Sequence, residues 1–321
     1  MDMNLLKYIL KKIAIALATL FVIASATFFL LALTPGDALS ARVEKLPDEV
    51  TQRLYAKYGL DRPVMERYFI TMKGLLHGDF GESIIYEGET VQQIISEKGP
   101  VSARLGIQQM LLGVTLGILL GILAAVKKGS FWDFLVIFFS VLLISVPTLI
   151  FALMLQAVFA GKLGWFPVIG WPSKGDWLGG FKYTVLPTFA GCFGYIASYA
   201  RLLKVSMLDV MNQDYILTAE SKGLSRREVI VHHVLRNSFI PIITRLPMSV
   251  AMCITGSFFI ESVFSIPGLG LYYVNAVAAQ DVTIVMGETV ILSAIYIFVI
   301  FITDILYTVV DPRIRISGGN A

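Results

Sequence analysis

The sequence is short of charge, cysteine and histidine. Only 15% of its 321 residues are Asp, Glu, Lys or Arg; soluble globular domains carry about 25%. Such a shortage excludes an ordinary soluble domain; the net charge of +3 says little by itself, and no nucleic-acid partner is expected. There are two cysteines, Cys192 and Cys253, and both lie in apolar stretches, which argues against a disulfide framework or a cysteine metal cluster. The three histidines, His77, His232 and His233, form no H-E-x-x-H pair, and no metal site is expected. No G-x-x-x-x-G-K-[ST] phosphate loop and no nucleophile-base set is present, so the chain is read as non-catalytic.

What the chain has in quantity is apolar sequence: 56% of its residues. Crossing the hydrocarbon core takes about 20 apolar residues, and the pattern predicts an all-α integral membrane protein with six transmembrane helices, near 9–34, 105–126, 132–160, 182–203, 241–262 and 284–310. The first run is longer than a signal-peptide core and has no cleavage pattern after it, so it reads as a retained span. The division expected is an N-terminal helix over 1–34, an extracytoplasmic helical cap over 35–104 between the first two spans, and a core of five spans over 105–321. Helices are predicted in the cap near 47–58 and 63–76, punctuated by Gly59, Pro63 and "HGDFG". The cap reads equally as a packing cover or as a docking surface.

Lys and Arg bias orients the spans. Lys7, Lys11, Lys12, Lys127, Lys128, the seven basic residues from Arg201 to Arg245, and Arg313 and Arg315 share one side. Nine of the remaining twelve lie in 35–104, where the rule is weak. Both termini and the polar loop 205–240 are therefore expected in the cytoplasm.

That loop carries "TAESKGLSRREVIVHHVLRN". It predicts a helical hairpin: Asp214 as N-cap of a helix of about eight residues, Gly223 as its left-handed terminator, and a second helix to about Asn237 opened by the capping box Ser225–Glu228. Tyr215, Ala219 and Gly223 fall on one side of the first helix, with Thr218, Ser221 and Lys222 on a neighbouring side. So short a helix needs packing to persist. Physical chemistry alone leaves two readings open: a basic hairpin on the lipid headgroups, or a helix seated in a partner's groove. The two histidines of the hairpin read as solvated positions.

Among the apolar spans, Gly113, Gly117 and Gly121 read as a packing face. Pro147, Pro187, Pro241 and Pro247 are expected to kink or start helices. Glu261 and Glu288, with Phe264, are candidates for an external gate, against the plainer reading of interhelical hydrogen bonding; Asp304 is expected near the inner interface.

"DYILTAESKGLSRREVIVHHVLRNSFIPIIT" resembles the coupling loop of ABC-importer membrane subunits, of the B-type permease in the oligopeptide/dipeptide/nickel group. "TPGD" at Thr34–Asp37, "YGLDRP" at Tyr58–Pro63, "GDFGES" at Gly78–Ser83, "LGWFPV" at Leu163–Val168, "ESVFSIPGLG" at Glu261–Gly270 and "DPRIR" at Asp311–Arg315 carry the same resemblance, in the same order. It implies a heteromeric complex in a bacterial plasma membrane: a second related permease, two cytoplasmic ATPase subunits that bind ATP and Mg, and an extracytoplasmic peptide-binding protein. Tyr215, Thr218, Ala219, Glu220, Ser221, Gly223, Leu224 and Ser225 would meet an ATPase subunit. Leu217 stands where the broader family often has glutamate, so no ion pair is carried over to that position. The resemblance favours oligopeptide as cargo because of the long cap, with dipeptide or nickel as same-family alternatives. A reading of another class is an ion-driven secondary transporter or channel using Asp304 or Glu261; the lack of an evident inverted repeat argues against it.

Overall fold

A computed structural model describes residues 3–44, 46–173, 180–254 and 257–310. These are helical almost throughout, with one isolated β-bridge, Glu82 to Thr90. In chain order the helices are α1 (Met3–Leu33), α2 (Ser40–Val43), α3 (Asp48–Lys57), α4 (Val64–Leu76), α5 (Val91–Val126), α6 (Phe131–Ser145) and α7 (Thr148–Leu155). A π-helical turn, Gln156–Lys162, extends α7. Then come α8 (Phe181–Met211), α9 (Asp214–Ser221), α10 (Arg226–Glu228), a second π-helical turn (Val229–Val234), α11 (Leu235–Ser238), α12 (Ile240–Ile254), α13 (Phe258–Val263), α14 (Leu269–Ala278) and α15 (Val282–Val310). Side chains of Lys7 and Asp304, and all of Lys174 and Asp311–Arg315, lie outside the described residues.

By length and composition three of these helices can cross a membrane, over Ile9–Leu33, Val91–Val126 and Val282–Thr303; counting the bent pair α6–α7 as one broken span makes four. Three expected spans need correction. The second begins at Val91, not 105, because apolarity marks where a helix enters lipid, not where it starts: the polar turns around Glu97 and Lys98 belong to the same helix. The third is not straight; α6 and the stretch Thr148–Lys162 meet at 100°. Pro147 disfavours helical geometry in the residue before it, and Val146 is accordingly extended (φ −89°, ψ 126°). The fifth is divided, with α12 ending at Ile254 and α13 starting at Phe258.

The chain forms two compact units, residues 1–101 with 267–321 and residues 102–266. By this grouping α15 falls in the same unit as the N-terminal segment. In the first unit α1 packs on α15 and on α4. The cap helices fall where the pattern put them, and Gly59 and Gly78 take positive φ at their ends.

In the second unit the glycine face of α5 lies directly on α8. A Cβ at Gly113 would sit 2.5 Å from the Tyr195 Cβ, and one at Gly121 2.8 Å from the Ala200 oxygen. The two backbones meet because nothing stands between them. Pro187 lies within α8, and its carbonyl oxygen accepts from Gln109 Nε2 on α5 at 3.1 Å. Gln109 Oε1 accepts from Ser257 Oγ at 2.8 Å, so one buried amide links α5, α8 and the start of α13.

Candidate functional site: the hairpin between α8 and α12

The hairpin belongs to the second unit and hangs from the end of α8. That end is braced by an ion pair between Lys204 on α8 and Asp133 in the first turn of α6. Asp133 also accepts from the Gly129 backbone N–H at 3.0 Å.

α9 runs from Asp214 to Ser221, eight residues. Its N-cap is Gln213, with no side-chain cap, and this corrects the expectation for Asp214. Asp214 is the first helical residue instead, where a carboxylate still favours the positive end of the helix dipole. The other end follows the sequence closely. Gly223 has φ +83°; its N–H reaches the Glu220 oxygen at 2.9 Å, and the Leu224 N–H reaches back to the Ala219 oxygen at 3.4 Å. These two bonds make a Schellman motif, which glycine enters without a Cβ penalty.

Ser225 then opens the second half. Its N–H donates to Glu228 Oε2 at 2.8 Å, and the Glu228 N–H returns to Ser225 Oγ at 3.4 Å, completing the capping box. Hydrogen bonds from the Ser225 side chain and then its backbone hold the Glu228 carboxyl below its ordinary value of 4.5. The capping contribution is therefore fully present above that ordinary value and is lost as pH falls through the depressed folded value. Ser225→Ala is expected to lower the amide protection factors at Glu228 and Val229 several-fold near neutral pH and to remove their further fall in acid, read by hydrogen–deuterium exchange.

Packing decides which side of α9 faces out. Ile216 and Ala219 are buried with Tyr199, Leu203, Met207, Val229, Val234 and Ile242. Ala219 is thus spent on the chain's own core and does not share an outward face with Tyr215, as its spacing predicted. Over Asp214–Ser225 the exposed residues are Asp214, Tyr215, Leu217, Thr218, Glu220, Ser221, Lys222, Gly223 and Ser225, with Leu224 half-buried. Two features escaped the sequence reading. Asn237 Nδ2 donates to the Tyr215 hydroxyl at 3.0 Å and so ties the hairpin's two halves together. Arg226 reaches the Val126 carbonyl at 3.4 Å, tying it to the end of α5. The i, i+3 pair Ile216–Ala219 was the available signal for the buried side. A cleft of about 400 Å³ lies between the halves, lined by Met211, Ile216, Leu224 and Val229 with Glu220 and Arg226. His232 is exposed, its Nδ1 against the Glu228 carbonyl at 3.2 Å, as a solvated position should be, whereas His233 is half-buried.

The gate candidates are all buried. Glu261 Oε1 accepts from the Ser257 N–H at 3.1 Å, across the first turn of α13. Phe264 ends α13, and its carbonyl accepts from the Gly170 N–H at 3.0 Å. Glu288 lies on α15, in the other unit.

The hairpin is cored on one side, exposed on the other and mounted at the end of the long helix α8. The profile of the family described as "Binding-protein-dependent transport system inner membrane component" matches residues 117–316, which contain the whole hairpin. The chain belongs to this family. The family's N-terminal profile, "Binding-prot-dependent transport system membrane comp, N-term", matches residues 5–96. The chain is 38% identical over 311 residues to the oligopeptide transport system permease protein OppB of Haemophilus influenzae, covering 97% of this chain and 100% of that protein. It is also 38% identical over 312 residues to the dipeptide transport system permease protein DppB of Lactococcus lactis, with the same coverage, and 38% identical over 311 residues to the DppB of Bacillus subtilis, covering 97% and 98%. It is a B-type permease of a peptide ABC importer, embedded in the membrane as a multi-pass subunit.

Proposed function

We propose that this permease is one of two related membrane subunits lining the pathway of an ATP-driven oligopeptide importer. The observation that carries the reading is the hairpin's two-sidedness: Ile216 and Ala219 fix it to the bundle, while Leu217, 60% exposed, and Tyr215 present apolar area outward. Exposed apolar residues on a short, capped helix suit a helix-in-groove contact. In this reading the groove belongs to a cytoplasmic ATPase subunit, which binds ATP and Mg, and the exposed residues from Tyr215 to Ser225 meet it. A second permease, a second ATPase subunit and an extracytoplasmic peptide-binding protein complete the complex. The chain crosses the membrane six times, α8 and the divided α12–α13 making the two further crossings, with both termini and the hairpin in the cytoplasm and the cap segment outside. Glu261, Phe264 and Glu288 are proposed to help keep the external end shut. Oligopeptide is preferred as cargo on the length of the 35–104 cap; a dipeptide importer is the second reading, since relatives of both names are equally similar.

Leu217→Arg tests the docking. It should leave the amount of membrane-inserted chain unchanged, reduce co-purifying ATPase subunit at least tenfold and abolish ATP-dependent peptide uptake, whereas Leu217→Met should change none of these. Undiminished uptake in the Leu217→Arg variant refutes the groove contact. Ala219→Arg is the weaker test, because it would break the hairpin's own core. Competition of uptake by peptides of two and of five residues separates the two cargo readings.

A further inference from the structure

α4 is built the wrong way round for a helix in water. Its most exposed side chains include Leu76 (84%), Phe69 (63%) and Met65 (52%). At 100° per residue these three fall within about 40° of one another. The protected side carries Arg67 and Thr71, beside Tyr68, Met72 and Leu75. Arg67 is half-buried and lines a cavity of about 240 Å³ together with Lys57 and Arg62. A helix facing water keeps its arginine outside and its phenylalanine inside; a contiguous exposed apolar stripe marks a contact with protein or membrane.

The neighbours of α4 set its depth. The Tyr68 hydroxyl pairs with Ser25 Oγ at 2.9 Å. The Tyr68 ring packs on Phe28 and Phe29, with centroids 5.4 and 5.0 Å apart. Ser25 lies about 12 Å below the end of α1 at Leu33, at 1.5 Å per residue. The apolar stretch of α1, Ile9–Leu33, has 25 residues, about 37 Å of helix against a hydrocarbon core of about 30 Å. Its end overshoots the core by only a few ångströms, so the level of Ser25–Phe29 is inside it. Met72 and Leu75 join the same cluster, with Ala24 and Phe28 of α1 and Met286 of α15.

We infer that α4 lies in the bilayer, in the leaflet on the side where the 35–104 segment emerges, with Met65, Phe69 and Leu76 against acyl chains. The occupant is lipid because the stripe lies at the depth of a membrane-crossing helix whose own Phe21, Val22, Leu30 and Leu33 are exposed. Beside the stripe, Lys73 has a stem long enough to reach the headgroups, and Glu66 is neutralised by Arg62 at 3.1 Å. The segment is then not a wholly aqueous cap: α4 is a lipid-held platform from which the following loop, Gly78–Thr90, projects.

The test uses the assembled transporter in lipid nanodiscs, with Cys192 and Cys253 replaced by alanine and nitroxide labels on F69C, L76C, L30C and E49C. Oxygen should relax the labels at 69 and 76 at least fivefold more than a water-soluble nickel chelate does, as at 30 on α1, with the order reversed at 49 on α3. Nickel access at 69 and 76 overturns the inference by placing α4 in water. Exclusion of both reagents overturns it in favour of a protein partner such as the second permease. The unsubstituted complex gives an independent reading: a lipophilic carbene photolabel dissolved in the bilayer should tag the Val64–Leu76 peptide, and absence of tagging there refutes the proposal.

Discussion

Gly117→Leu is expected to destabilise the transporter by about 3 kcal/mol, the upper end of the range for overpacking. Even the first carbon of a side chain has no room: a Cβ at Gly117 would sit 2.8 Å from the Tyr199 Cβ, 2.9 Å from the Ile196 oxygen and 3.3 Å from the Ala200 nitrogen. Two of these three atoms are backbone, so α8 as a whole would have to move. Tyr199 cannot swing aside either, since it is fully buried and its hydroxyl is paired with Ser249 Oγ at 2.7 Å. Moving α8 also moves the base of the hairpin, so loss of ATPase-subunit binding should accompany the fall in melting temperature of the purified complex. Gly194 is the control. It lies on α8, is exposed, and a Cβ there would meet nothing within 4 Å. Gly194→Ala should be neutral or stabilising by up to about 1 kcal/mol. Equal melting temperatures for the two variants would refute the close-packing account.

The same glycines show what the sequence makes legible. Their spacing of four placed them on one face, and a face of hydrogen atoms has one structural use between apolar helices. Local chemistry was legible for the same reason. Gly223 and the Ser225–Glu228 capping box depend on residues within five positions of one another, and both formed as their types require. Asp214 was misread by one position, because Gln213 can start the helix without a side-chain cap. The outward side of α9 was misread because spacing says which residues share a face and not which face the rest of the chain covers. Covering comes from Tyr199 and Leu203 before it and Val234 and Ile242 after it, all distant in sequence. The 100° bend was half legible: Pro147 announced a break, but its size depends on what packs on each side. Least legible were contacts between turns far apart in the chain. The "TPGD" and "GDFGES" motifs stood out as separate pieces, yet both are fastened to one unremarked turn. Gln280 Nε2 donates to the Pro35 carbonyl at 2.7 Å, and Asp281 Oδ2 accepts from the Ser83 hydroxyl at 2.8 Å.

Asp281→Asn, though nearly isosteric, is expected to be among the most damaging single changes in this protein. The carboxylate is fully buried and accepts from five donors. Oδ2 takes the Ser83 hydroxyl at 2.8 Å and the backbone N–H groups of Ile84 and Ile85 at 2.8 and 3.1 Å. Oδ1 takes the N–H groups of Thr283 and Ile284 at 3.1 and 3.2 Å. An ionised carboxylate only accepts, so it can serve all five; an amide turns one of its two positions into a donor. If the amide nitrogen faces the loop, two backbone N–H groups lose their acceptor and meet hydrogens instead. If it faces α15, the Thr283 and Ile284 N–H groups do. Either orientation strands at least two buried donors, each worth about 1–3 kcal/mol, so a loss of about 2–5 kcal/mol is expected. The damage should be local to the loop that follows α4: amide exchange at Ile84 and Ile85 should accelerate by at least tenfold while the Val114–Ala125 part of α5 keeps its protection. Asp48→Asn, on the exposed first turn of α3, should change little. Unchanged exchange at Ile84, Ile85 and Ile284 in the Asp281→Asn variant would show that the carboxylate is not what fastens the loop. If the loop loosens as expected, peptide uptake should fall with it while the ATPase subunits stay bound, since the hairpin proposed to meet them lies in the other compact unit.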